Sequence, residues 1–279
     1  MPGSCPRPGV PTRTGSRPSR RKALGQHHLR RGASARPLVD FLALTAGDRV
    51  LEIGAGGGEL TLELARSGAR VAAVELDLGW AVELRRRLRE AAPQVTPVAI
   101  AVADALAIAW QRLPAGWKVA GNLPYSVGTA IVERFLRCAP AGTRAGFLLQ
   151  REVVERMVAA PGDAAYGALS VLVAARARAR RLGVLAPGAF VPPPKVESAF
   201  VGLERLPEEL AAEESRRFER VVRAAFARRR KTLRNALGAA FGREAAERAL
   251  AGAAIAADRR AEELDLEAFR RLAGALTEG

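Results

Sequence analysis

The sequence predicts an α/β protein: a doubly wound parallel sheet followed by a small all-helical domain. Three observations carry that prediction. Short apolar runs alternate with amphipathic segments from Asp48 to Val158, the pattern of repeated strand–helix units. Acidic or amide residues (Glu52, Glu75, Asp104, Asn122) recur at the carboxyl ends of those runs. From Pro207 to Gly279 the chain is rich in Ala, Glu and Arg, with helical periodicity and no strand signal.

Taken in order, residues 1 to 20 are rich in Pro, Arg, Ser and Gly and contain no acid, which reads as a disordered basic tail. Transit peptides share that charge bias, but these prolines and glycines disfavour the amphipathic helix such peptides form. The sheet domain is expected over 21–206 and the helical domain over 207–279. Arg49 to Ile53 is a buried strand, followed by a Gly-rich turn and a helix through Leu60, Leu64 and Ala65. Val71 to Val74 is the second strand, and Leu84 and Leu88 mark the helix after it. Val98 to Val102 is the third strand. Lys118 to Ala120 is the fourth, followed by a helix from Thr129 to Leu136. Ala145 to Leu149 is the fifth, followed by a helix from Glu152 to Val158. The alternating Arg176–Arg181 run suits an edge strand whose charges discourage pairing with other chains. Right-handed crossovers place all the strand ends on one edge, where ligands bind in such sheets.

Composition narrows the partners. The 279 residues carry a net charge of +15, which implies a polyanion, nucleic acid first and an anionic membrane surface second. A GC-rich genome accounts for Arg over Lys, but not for the excess of both over Asp and Glu. No apolar run approaches the roughly 20 residues that span a bilayer, and no secretory segment follows Met1. Cys5 and Cys138 are too few for a disulfide framework, which fits a reducing, cytoplasmic setting. With only His27 and His28 as histidines and no Cys-x-x-Cys, no metal site is expected.

Two turns carry the chemistry. In Glu52-x-Gly54-x-Gly56-x-Gly58, Glu59 stands where a dinucleotide fingerprint wants a third spaced glycine, and it would repel a diphosphate. A phosphate-free nucleoside such as S-adenosylmethionine needs only close approach of the backbone. Glu75 is placed to accept both ribose hydroxyls, and Asp104 to accept from the adenine amino group. Asn122-Leu123-Pro124-Tyr125 can hold a flat base bearing an amine. Asn122 supplies one acceptor and the Leu123 carbonyl another, Pro124 fixes the turn, and Tyr125 stacks. Accepting both amino hydrogens favours a pyramidal nitrogen with its lone pair aimed at a methyl group. Taken alone, the motif also reads as an ordinary Asn-Pro turn with a core tyrosine. The rigid Phe190-Val191-Pro192-Pro193-Pro194-Lys195 segment can present Phe190 as a second face of a base clamp, with Lys195 toward phosphate. It equally suits a connector with a buried Phe.

These motifs, together with Lys22-Ala23-Leu24-Gly25-Gln26, Gln150-Arg151-Glu152-Val153, Tyr166 to Ser170 and Arg229-Arg230-Lys231-Thr232-Leu233-Arg234-Asn235, give a chain that resembles the small-subunit rRNA adenine N6,N6-dimethyltransferases. The resemblance runs from about Lys22 to Leu237. It implies a Rossmann-like class I S-adenosylmethionine-dependent methyltransferase domain with a helical C-terminal domain. It also implies dimethylation of two adjacent adenosines in a hairpin near the 3′ end of the 16S-type rRNA, and a late role in small-subunit assembly. A monomer is expected. By resemblance the cofactor contacts fall on His27, Leu29, Gly54, Gly56, Glu75, Asp104 and Asn122. Where the family usually has Gly-Gln-Asn-Phe-Leu-x-Asp, this chain reads Gly25-Gln26-His27-His28-Leu29-Arg30-Arg31. A basic helix over Phe218–Leu237, with Arg223, Arg230 and Arg234 opposite its apolar side, is expected to track phosphates beside Lys195. Rival readings are a large-subunit rRNA methylase on the same fold and a non-catalytic assembly factor. A dehydrogenase fails on the glycine spacing.

Overall fold

The computed structural model describes residues 27–207, 211–228 and 230–276. The expected basic tail, Lys22–Gln26 and Arg229 lie outside them. In chain order the elements are β1 (His28–Leu29), α1 (Arg36–Leu42), β2 (Arg49–Ile53), α2 (Glu59–Arg66), β3 (Arg70–Glu75), α3 (Leu78–Ala91), β4 (Val98–Val102), β5 (Lys118–Asn122), α4 (Gly128–Cys138), β6 (Arg144–Gln150), α5 (Arg151–Val158), α6 (Ala168–Ala174), β7 (Ala177–Leu185), β8 (Phe190–Val191), β9 (Ser198–Arg205), α7 (Ala212–Phe226), α8 (Leu233–Phe241), α9 (Arg243–Gly252) and α10 (Leu266–Ala275).

The main sheet has the order β4-β3-β2-β5-β6-β9-β7. Its first five strands pair in parallel, as expected. The expectation of a purely parallel sheet is corrected at the far side, where β9 runs antiparallel to β6 from Arg144↔Glu204 to Gln150↔Ser198. β9 is buried on both faces over most of its length, so its sequence shows no alternation, and the prolines before it mask its start. β7 takes the outer edge, where Arg178, Arg180 and Arg181 are exposed.

The chain divides into two compact units. One holds the described residues up to Val154 together with Arg178–Arg205. The other holds Glu155–Ala177 and the chain from Leu206 onward. The sheet unit buries Leu38, Leu42, Val50, Leu64, Leu148 and Phe200 in one cluster. Elsewhere in that unit Trp110, Phe135 and Phe147 meet edge to face at 5.6 and 5.8 Å. The expected bounds put residues 155–177 with the sheet. Here Tyr166, Val171 and Leu172 instead share a core with Phe218, Leu250 and Phe269, and the Tyr166 hydroxyl donates to the Leu264 carbonyl at 2.8 Å.

The expected single helix over Phe218–Leu237 is also corrected. It is two helices, α7 ending at Phe226 and α8 beginning at Leu233. Val222, Leu233 and Leu237 are nonetheless all buried in the helical unit's core, as their spacing required. The break falls on the Arg228–Lys231 run of like charges, and Thr232 is extended.

Candidate active site

The site is built from the carboxyl ends of β2, β3, β4 and β5. A cavity of about 160 Å³ opens there, bordered by Gly54 and Gly56 after β2, Glu75 of β3, Asp104 after β4 and Asn122 of β5. Four strand ends converge because the strands are parallel and adjacent in the sheet.

The turn after β2 needs glycine for steric reasons. Gly56 has φ 51°, and a Cβ on it would lie 2.7 Å from the Nδ1 of His28. Gly58 has φ 89°, and its Cβ would lie 2.5 Å from the Leu84 Cδ1. Glu75 locks the turn. One carboxylate oxygen accepts from the Gly56 N–H at 2.7 Å and the other from the Asp77 N–H at 2.9 Å. Glu75 is 3% exposed. Burial raises its pKa, against the lowering effect of the N–H groups of Asp77, Gly56 and Leu76. Each oxygen retains a lone pair for a ligand. Asp104 is exposed and uses one oxygen to cap the short 3₁₀ turn over Ala105–Ala107, accepting from the Leu106 N–H at 2.8 Å. No Arg or Lys borders the cavity among the described residues.

Glu52 belongs to a different place. It is 1% exposed and borders a smaller adjoining cavity with His28, Gly57 and Glu59. Its Oε2 has no hydrogen-bond partner among the described residues. Burial pushes its pKa up to about 8, helped by the charge of Glu75 and opposed by Thr61, which does not reach full hydrogen-bond geometry.

On the target side, the Asn122 Nδ2 donates to the His27 carbonyl at 2.8 Å. That contact turns Oδ1 away as a free acceptor. The Leu123 N–H donates to Leu148, and its carbonyl accepts no hydrogen bond among the described residues. The Pro124 carbonyl accepts from the N–H groups of Val127 and Gly128, closing the turn onto α4. The Tyr125 hydroxyl and the Ser198 Oγ lie 2.5 Å apart, with Ser198 fully buried. Burial raises the Tyr125 pKa, so the phenol stays neutral. Ser198 has no role in the sequence reading of the site. Its role as the tyrosine's anchor follows from β9, which the sequence pattern did not reveal.

Two site expectations are corrected. Phe190 is 1% exposed and packs with Leu29, Leu38 and Phe200, because β8 pairs with β1 and turns the ring inward. It forms no face of the cavity. Leu29 is likewise a core side chain and borders only the smaller cavity. The ring near Tyr125 is His27, with centroids 5.2 Å apart. Lys195 is exposed beyond the prolines. Arg223 pairs with Glu219 at 3.0 Å and Arg234 with Glu247 at 3.6 Å, while Arg230 is exposed between α7 and α8.

A family model described as ribosomal RNA adenine dimethylase matches residues 17–278. The chain belongs to the ribosomal RNA adenine dimethylase family. Among curated members, ribosomal RNA small subunit methyltransferase A of Xanthomonas axonopodis pv. citri (strain 306) is 40% identical over 256 residues, covering 91% of this chain and 95% of that protein. The protein of the same name from Bordetella petrii is 39% identical over 265 residues, covering 94% and 97%. Among solved structures, the 23S rRNA methyltransferase ErmE superposes with TM-score 0.65 at 26% identity, covering 89% of this chain and 99% of that one. A dimethyladenosine transferase from Plasmodium falciparum gives 0.70 at 22% identity, covering 88% and 96%, which supports the fold of this dimethylase family member.

Proposed function

We propose that this dimethylase acts on small-subunit rRNA, adding two methyl groups to the N6 amine of each of two adjacent adenosines near the 3′ end. The observation that carries the reading is the single cavity bordered by both Glu75 and Asp104 and the Asn122–Tyr125 turn. The cofactor is S-adenosylmethionine, which when bound supplies a methyl group on a sulfonium. The site fits it. Two acids line the wall without Arg or Lys, and burial closes off the phenol as a base, so a cationic nucleoside suits the cavity better than a phosphate.

In this reading Glu75 holds the ribose hydroxyls and Asp104 the adenine amine, with Gly54 and Gly56 at the sulfur end. His27 and Asn122 border the same space. Asn122 Oδ1 and the Leu123 carbonyl accept the two hydrogens of the target amine, and Tyr125 stacks on the base. Catalysis is then positioning of the target amine, whose proton is lost to solvent, with no general base required. Lys195, Arg223, Arg230 and Arg234 contact phosphate. The chain works as a cytoplasmic monomer, which light scattering on the purified protein tests. Among the described residues no helix is long and apolar enough to cross a membrane. The family resemblance adds a late role in subunit assembly.

The test is nucleoside mass spectrometry after incubating the protein and S-adenosylmethionine with unmethylated small subunits and, separately, large subunits. N6,N6-dimethyladenosine in the small-subunit rRNA alone is expected. Product only in the large-subunit rRNA sinks the small-subunit assignment, and no product on either sinks the catalytic reading.

A further inference from the structure

The amino-acid end of the cofactor lacks an obvious partner. With the ribose at Glu75 and the adenine at Asp104, that end falls at the opposite side of the cavity, beside Gly54, Gly56, His27 and His28. A carboxylate there needs N–H donors. The Gly-rich turn has already committed three of its own. The Gly54 and Ala55 N–H groups donate to the Val74 carbonyl, and the Gly56 N–H donates to Glu75.

Only three bordering side chains offer N–H groups among the described residues: His27, His28 and Asn122. Asn122 donates to the His27 carbonyl. His27 Nδ1 lies 2.8 Å from the Pro192 carbonyl, which can only accept. The His27 Nδ1 therefore carries a proton, and that N–H is committed to Pro192. Of the three side chains, only that of His28 has no hydrogen-bond partner among the described residues. It borders both cavities, its ring lies 4.3 Å from the Trp80 ring at a tilt of 44°, and Nδ1 faces Gly56. Trp80 packs against the ring, and the imidazole carries an N–H that a phenyl ring lacks.

We infer that His28 is a cofactor-binding residue of this chain, donating a ring N–H to the carboxylate of the amino-acid end. The inference rests on the cofactor placement proposed above. Burial, and then the charge of His27, holds the His28 pKa below its ordinary value. The ring is thus neutral at pH 7 and adds no cation beside a sulfonium.

Calorimetry with two nucleosides tests it. S-adenosylhomocysteine carries the amino-acid end, and 5′-methylthioadenosine does not. His28→Phe keeps the ring on Trp80 and removes the N–H. It should weaken S-adenosylhomocysteine by about tenfold or more, the range for a hydrogen bond to a charged group. Its affinity for 5′-methylthioadenosine should stay within about twofold of wild type. Unchanged affinity for S-adenosylhomocysteine, or equal loss for both nucleosides, overturns the assignment. Nitrogen-15 NMR of the wild-type imidazole gives a readout independent of the variant's folding. The His28 ring signals should shift with S-adenosylhomocysteine and not with 5′-methylthioadenosine, and equal shifts with both, or none with either, overturn it. Wild type that binds neither nucleoside overturns the cofactor placement itself, and this inference with it.

Discussion

The strand ends of the sheet unit and the arginines of the helical unit hold charge in opposite ways. Glu52 and Glu75 are buried, and Glu75 is fixed by backbone N–H groups. Arg223 and Arg234 are about half exposed and paired with glutamates that are themselves reachable by water. Buried carboxylates cannot reorganise cheaply, so they define a shape that a small ligand must meet. Exposed ion pairs contribute little and exchange partners readily, which suits a phosphate backbone whose path varies. The difference teaches that the net charge of +15 measures attraction at long range, while the site depends on a few desolvated acids.

The largest effect expected from that contrast is at Glu52. A carboxyl whose folded pKa is about 8, against an ordinary 4.5, stays protonated in the folded chain while the unfolded chain ionises. Its contribution to stability therefore falls as pH rises from 4.5 and levels off above 8. Relative to Glu52→Gln, the wild type should lose roughly 4 kcal/mol between pH 4.5 and 8. Denaturant unfolding of both at several pH values checks this, and parallel curves would break the claim of a desolvated acid. Next is Gly58→Ala, where a left-handed backbone and contact with buried Leu84 combine. A loss of about 2–4 kcal/mol is expected from the unfolding midpoint. A neutral result would mean the turn is not rigid.

Ser198→Ala should be milder, about 1 kcal/mol, since it strips the partner of a half-buried phenol. Its methylation rate should fall further than its stability if Tyr125 is positioned through β9. The smallest effects belong to the helical unit. Arg223→Ala and Arg234→Ala should each change stability by less than about 0.5 kcal/mol. If each touches a phosphate, each lowers the salt slope of rRNA binding by about 1. Filter binding across a salt series decides this, and a slope identical to wild type would remove that arginine from the interface.

How much was legible in the sequence follows the same division. β2 (Arg49–Ile53) and β4 (Val98–Val102) have the bounds their apolar runs require, because a short apolar run bounded by polar residues reads as a strand even where, as at the edge strand β4, most of it is exposed. Their convergence at Glu75, Asp104 and Asn122 follows from topology alone. β9 was hidden because its buried run adjoins prolines and a change in composition. Phe190 was read as a clamp because a rigid proline segment says nothing about which way the preceding ring points. That was settled by two-residue pairing with β1, some 160 positions away. The contacts of His27 to Asn122 and Pro192 also join residues far apart in sequence, by 95 and 165 positions. The break between α7 and α8 was missed because apolar spacing continues across it.

The most direct test of the central claim, that the Asn122–Tyr125 turn presents acceptors to the target amine, is Asn122→Ala on unmethylated small subunits. Nucleoside mass spectrometry and rRNA binding should be read together. Methyl transfer should fall by about 100-fold or more, the cost of losing positioning at a reacting centre, while the variant still binds the subunit. Methylation at a wild-type rate would contradict the account.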